Sequence, residues 1–145
     1  MNKKTTVEVY LDFTKNEPDW DFKLSEVTNK LGIPPTETKK MGEWATPNRQ
    51  YSLTQWKYST GPIETLNFEM VCEKIINTFK DKIDIINELK SEIGIMPSFR
   101  AVTHIFDGVS PGYSFPIEVM KFAISIDAVL EIDQYVYGFE EEDIK

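Results

Sequence analysis

From Thr5 to Phe13 apolar and polar positions alternate, with Val7, Val9, Leu11 and Phe13 on one side and Thr6, Glu8, Tyr10 and Asp12 on the other. That period of two predicts a half-buried strand. The polar, proline-containing stretch Asn16 to Asp21 reads as a loop, and Asp21 is placed to cap a helix whose inner face is Phe22, Leu24, Val27 and Leu31. Gly32 ends this helix, and Pro34 and Pro35 keep it from resuming. Thr36 to Met41 reads as a short strand, Gly42 to Gln50 as a loop, and Tyr51 to Thr60 as a second alternating stretch, together a hairpin with a long loop. Beyond the Gly61-Pro62 break, Phe68, Val71, Cys72, Ile75, Ile76 and Phe79 recur at helical spacing. Ile83, Ile86, Leu89 and Ile93 continue the pattern to a stop at Gly94. The run is long for one helix in so small a chain, which leaves open whether Lys80 to Asp84 divides it. Phe99 to Phe106 predicts a strand, Asp107 to Ser114 a glycine- and proline-rich turn, and Pro116 the first turn of a helix carrying Ile117, Met120, Phe122, Ala123 and Ile124. Ala128 to Tyr137 is the last strand.

The first six elements fit the split βαβ pattern of ferredoxin-like domains. The expected fold is therefore α+β: a mostly antiparallel sheet with helices on one face, a ferredoxin-like βαββαβ core followed by an extra helix and strand. Residues 1–138 form one domain in this reading, and 139–145 an acidic C-terminal tail that frays. A chain of 145 residues that is 41% hydrophobic can hold its own core without disulfides or a structural metal.

Sixteen Lys and Arg against 24 Asp and Glu give a net charge of -8. Such a surface repels phosphate backbones, which argues against nucleic acid as a partner. The last seven residues hold four acids and one base, so the acidity belongs mainly to residues 1–138. Cys72 is the only cysteine, which excludes an internal disulfide and any multi-cysteine zinc site and suits a reducing, cytoplasmic setting. The basic start Met1 to Lys4 is not followed by a signal-peptide core, because Glu8 and Asp12 interrupt the apolar run. No stretch approaches the roughly 20 apolar residues of a membrane helix.

Candidate chemistry is sparse. His104, the only histidine, could serve as a base near neutrality, but no nucleophile-elbow or triad pattern supplies its partners. Glu17, Asp19 and Asp21 could hold a hard cation, yet the glycine and late glutamate of a calcium loop are missing and a solvated loop accounts for them better. The turn Asp107 to Ser114 leads from strand to helix, where amides can meet an anion, but it lacks the dinucleotide fingerprint and the phosphate-loop lysine. Glu131 and Asp133, two apart on one strand, would stand roughly 7 Å apart, a spacing compatible with paired-carboxylate hydrolysis. No metal, cofactor or catalytic residue is assigned.

The face of the sheet opposite the apolar one offers more. In this reading it carries Glu8, Tyr10 and Asp12, then Trp56 and Tyr58, Arg100 and His104, and finally Glu131, Asp133, Tyr135 and Tyr137. Trp56, Tyr58, His104, Glu131, Asp133 and Tyr135 are the expected partner-binding residues, since aromatics anchor interfaces and carboxylates steer a basic protein toward them. The alternative is that Trp56 and the tyrosines are covered and form a second small core.

Leu31-Gly32-Ile33-Pro34-Pro35-Thr36, Gly42-Glu43-Trp44, Trp56-Lys57-Tyr58-Ser59 and Ile132-Asp133-Gln134-Tyr135, in that order and spacing, resemble the bacterial family known as domain of unknown function 4279. The resemblance runs from about Val7 to Tyr137. It implies a small bacterial cytosolic domain with no catalytic residues to carry over, and some members are suspected of acting as immunity proteins against secreted toxins. The resulting expectation is a non-enzymatic, cytosolic protein-binding domain that meets a basic protein, with neutralisation of a toxin as its concrete version. The alternative is a small-ligand-binding protein or hydrolase using Glu131, Asp133 and His104.

Overall fold

A computed structural model describes residues 3–16 and 18–138. The alternating segment at the start forms β1 (Thr6–Lys15), with Val7, Val9, Leu11 and Phe13 fully buried. α1 (Leu24–Leu31) follows, turning Val27 and Leu31 inward and closing on Gly32 at φ 69, the left-handed geometry that favours glycine. Its N-cap is Lys23, not Asp21, and no side chain caps it. The Asp21 carboxylate instead accepts from Lys40 Nζ at 2.7 Å and from the Thr54 hydroxyl, fastening the loop before α1 to the segment leading into the third strand of the main sheet. Both donors hold the Asp21 carboxyl below the usual carboxylate range.

The predicted hairpin is smaller and more broken than its sequence suggests. β2 (Glu37–Lys39) is followed by a separate two-stranded ribbon, β3 (Trp44–Thr46) and β4 (Arg49–Gln50), inside the segment read as loop. β5 (Gln55–Ser59) occupies only the end of the alternating stretch, and β6 (Ile63–Glu64) adds a short pairing to β1. The long apolar run is divided: α2 (Phe68–Phe79) and α3 (Ile83–Ile93) are joined by a 3-10 turn over Lys80–Lys82. β7 (Ile95–Ile105) starts directly after Gly94, earlier than the predicted Phe99. α4 (Ile117–Ser125) and β8 (Val129–Val136) complete the chain.

The main sheet runs β2-β5-β1-β7-β8. Each of its first four strands is antiparallel to its neighbours among them, the ferredoxin-like arrangement, and β8 adds to β7 in parallel after the α4 crossover. All four helices bury residues in one cluster with the sheet: Val27 and Leu31 from α1, Val71, Ile75 and Phe79 from α2, Ile86 and Leu89 from α3, Val119 and Phe122 from α4. The helices thus cover one face and leave the other to side chains alone.

The facing of β5 overturns part of the expected binding surface. Its antiparallel register sets Trp56 opposite Phe13 and Tyr58 opposite Leu11, and directly opposed residues project to the same side. Trp56 is therefore fully buried, stacked on Phe13 at 5.2 Å, with its indole N–H donated to Thr28 Oγ1 at 3.0 Å. Tyr58 packs edge-on against Phe79 at 5.3 Å. Both belong to the main core beneath α1 and α2, so neither the exposed placement nor a second small core describes them.

Candidate functional site

The uncovered face of the sheet divides into two zones, set by which rows of the β1, β7 and β8 registers coincide. Across β1 and β7 the register opposes Tyr10 to Arg100, Glu8 to Val102 and Thr6 to His104. Across β7 and β8 it continues Arg100 to Glu131, Val102 to Asp133 and His104 to Tyr135. His104, Glu131, Asp133 and Tyr135 are thereby brought to one face, as the alternation predicted, while Trp56 and Tyr58 leave it. Turning β5 over puts Gln55, Lys57 and Ser59 in their place.

One zone is a lattice of charges around Asp12. Only 1% of its side chain is exposed; Oδ2 accepts from Gln55 Nε2 at 2.5 Å, and Oδ1 lies 3.7 Å from Arg100 Nε. That separation is too long for a hydrogen bond, and these two buried atoms have no other partner. Burial therefore dominates and raises the Asp12 carboxyl above its ordinary value, against the opposing pull of Gln55 and Arg100. Arg100 reaches outward as well, with Nη1 3.2 Å from Glu131 Oε2. Lys57 lies 4.2 Å over the Tyr10 ring and 3.2 Å from Glu37, and Ser59 donates to Glu8. Asp133 is exposed and takes no part in an ion pair among the described residues.

The other zone is a stack of rings. His104 lies between Tyr135, 5.1 Å away at 13° between planes, and Tyr137, 5.8 Å away at 17°. Tyr137 stacks in turn on Phe106 at 4.5 Å, and Lys3 sits 5.8 Å over the Phe106 ring. His104 Nδ1 and the Tyr137 hydroxyl are 2.9 Å apart, so that hydrogen bond engages one imidazole nitrogen. Tyr135 and Tyr137 remain 51% and 42% exposed, which leaves ring area for a partner. The stack could have been found in the sequence: His104 and Phe106, like Tyr135 and Tyr137, are two apart, and laying the last strand parallel to its neighbour interleaves the two pairs.

Elsewhere the chemistry is structural. Cys72 is buried, and loss of solvent pushes its thiol up to about 12. In the turn after β7, Thr103 and the Tyr113 hydroxyl lie 2.8 Å apart, and the Val109 carbonyl accepts from Thr5 at 2.5 Å. Of the loop acids, Asp19 Oδ1 accepts the Asp21 amide and the Asp21 carboxylate is taken by Lys40, while Glu17 lies outside the described residues, as does the tail 139–145. No group of His, Cys, Asp and Glu able to hold a metal ion occurs among the described residues, and no described helix is long and apolar enough to cross a membrane.

Comparison with curated proteins and with solved structures returned no match. The family model described as a domain of unknown function, DUF4279, matches residues 4–137, which takes in every strand and helix of the fold and the whole polar face. The chain belongs to the DUF4279 family.

Proposed function

We propose that the uncovered sheet face docks a basic protein, in a cytosolic setting, with neutralisation of a toxin as the concrete version. The observation that carries this is the composition of the face. Glu8, Asp12, Glu37, Glu64, Glu131 and Asp133 outnumber Lys3, Lys39, Lys57 and Arg100 there, and the exposed Tyr135 and Tyr137 rings lie beside them. Unbalanced carboxylates accelerate encounter with a cationic surface, and partly exposed tyrosines supply contact area at low entropy cost. The test begins with affinity capture from native extract and identification of the partner by mass. Its association should slow as salt rises and on Asp133→Lys, and Tyr135→Ala should speed dissociation. A partner whose association ignores both salt and Asp133→Lys would remove the electrostatic basis of the reading.

A second reading, a small-ligand receptor or hydrolase on the same face, is favoured by one feature, the raised carboxyl of Asp12 with its unpartnered oxygen. Glu131 and His104 support it less, since Arg100 and Tyr137 already engage them. Native mass spectrometry of freshly purified protein separates the two readings, because a receptor would retain a bound metabolite.

A further inference from the structure

Among the described residues β8 ends the sheet and pairs with β7 alone. Along a strand bonded on one side, alternate residues turn their N–H and C=O groups outward. The Tyr137 amide turns inward, to the Ile105 carbonyl at 3.0 Å, so the outward set is Leu130, Ile132, Gln134 and Val136. Every residue of β8 is exposed except the half-buried Glu131. Natural sheets guard such edges with charged side chains, most of all lysine, or with proline or a bulge. The sequence Val129–Val136 contains neither lysine nor proline, and its register with β7 runs without a shift. The two sides of the strand differ sharply: Leu130, Ile132 and Val136 lie on the helix-covered side, and Glu131, Asp133 and Tyr135 on the polar one.

We propose that the β8 edge receives an extended segment of the basic partner as an added strand, in which apolar residues alternate with Lys or Arg. This rests on the reading of the polar face as a docking surface for a basic protein and adds how that partner is held. An added strand shares the alternation of its neighbour, so its apolar residues would meet Leu130, Ile132 and Val136 while its cations meet Glu131 and Asp133. Backbone bonds to the outward groups supply the affinity and the alternating side chains the selectivity. Charge decides against a second copy of this chain as the occupant. Of the antiparallel registers that overlap two such edges most fully, one sets Glu131 against Asp133 and the other sets Asp133 against itself, and like charges directly opposed destabilise the pairing.

The test uses a synthetic peptide of alternating Val and Lys, as long as β8, with binding read by fluorescence anisotropy. A Val-Glu peptide and a Val-Lys peptide N-methylated at alternate amides are the comparisons. The Val-Lys peptide should bind and the Val-Glu peptide should not, with the preference reversed by Asp133→Lys. Gln134→Pro removes an outward N–H without touching the β7 ladder, and it and the N-methylation should each weaken binding by about tenfold or more. The methylated peptide keeps the comparison decisive even where the proline variant fails to fold. Charge dependence without any effect of proline or N-methylation overturns strand addition and leaves the docking reading standing. Absence of Val-Lys binding overturns the inference, while the salt dependence of the captured partner judges the docking reading separately. A dimer in sedimentation that Gln134→Pro dissolves would give the edge to a second copy and also overturn the inference.

Discussion

Replacing Trp56 decides between two very different places for the largest fully buried side chain. Fully buried, stacked on Phe13 and edge-on to Phe79 at 6.2 Å, it should lose about 3–5 kcal/mol on truncation to Ala, the range for large aromatics in a packed core. A domain of this kind has only about 5–15 kcal/mol in total, so Trp56→Ala takes a large share of it. Trp56→Phe retains a ring against Phe13 but drops the N–H donated to Thr28, and should cost about 1–3 kcal/mol. Thr28→Val removes the acceptor and leaves the indole donor without its partner, a penalty of about 1–3 kcal/mol. Because one hydrogen bond underlies both, the double variant should lose less than the sum, with a coupling of about 0.5–1.5 kcal/mol. Urea unfolding followed by far-UV circular dichroism measures all four at unchanged slope. The control is Trp44→Ala, at a site 66% exposed. If Trp56→Ala moved the midpoint no further than Trp44→Ala, Trp56 would not be in the core and the β1–β5 register would be wrong.

The pH dependence of stability should carry the mark of Asp12. Its folded-state carboxyl sits above the ordinary 3.8, so between those two values the native state binds more protons than the unfolded one, and this contribution to stability falls as pH rises through that window. Asp12→Asn lacks it; the thermal midpoint of the wild type relative to this variant should decline from the acid side upward, and the opposite slope would refute the assignment. Cys72, buried and with its thiol at about 12, should resist iodoacetamide in the native protein at mildly alkaline pH and react at once in denaturant; fast native labelling would contradict the packing of α2.

What the sequence disclosed and what it hid follow one division. In β1 and α2 the segment's own period settles the facing, so Val7, Val9, Leu11 and Phe13 face inward, and so do Val71, Ile75 and Phe79; on α4 it does not, since Phe122 and Ala123 are buried with Val119 while Ile117, Met120 and Ile124 stay exposed. Strand order and the antiparallel core were legible because short connections and glycine stops constrain them. In β5, however, Gln55, Lys57 and Ser59 alternate cleanly with Trp56 and Tyr58, and which set faces the helices depends on pairing with β1. Asp21 misled for the same reason: a local capping role lost to Lys40 and Thr54, both distant in sequence. On the candidate site, His104, Glu131, Asp133 and Tyr135 were placed correctly on one face. The near-complete burial of Asp12 emerges only when β1, β5 and β7 are set side by side, and the ring stack only once β8 is laid parallel to β7.

The central pairing of the sheet joins β1, near the start of the chain, to β7: Thr5 accepts the Phe106 amide from 101 residues away. A nascent chain leaving the ribosome cannot form that ladder until β7 has been made, and β8 has no neighbour to join until β7 is in place. The entropy of closing so long a loop is spent before the pairing rewards it, which slows folding relative to a domain built from local contacts. Until β7 arrives, the β1 flank destined for it stays open, and the newly made protein is most vulnerable to aggregation in that interval.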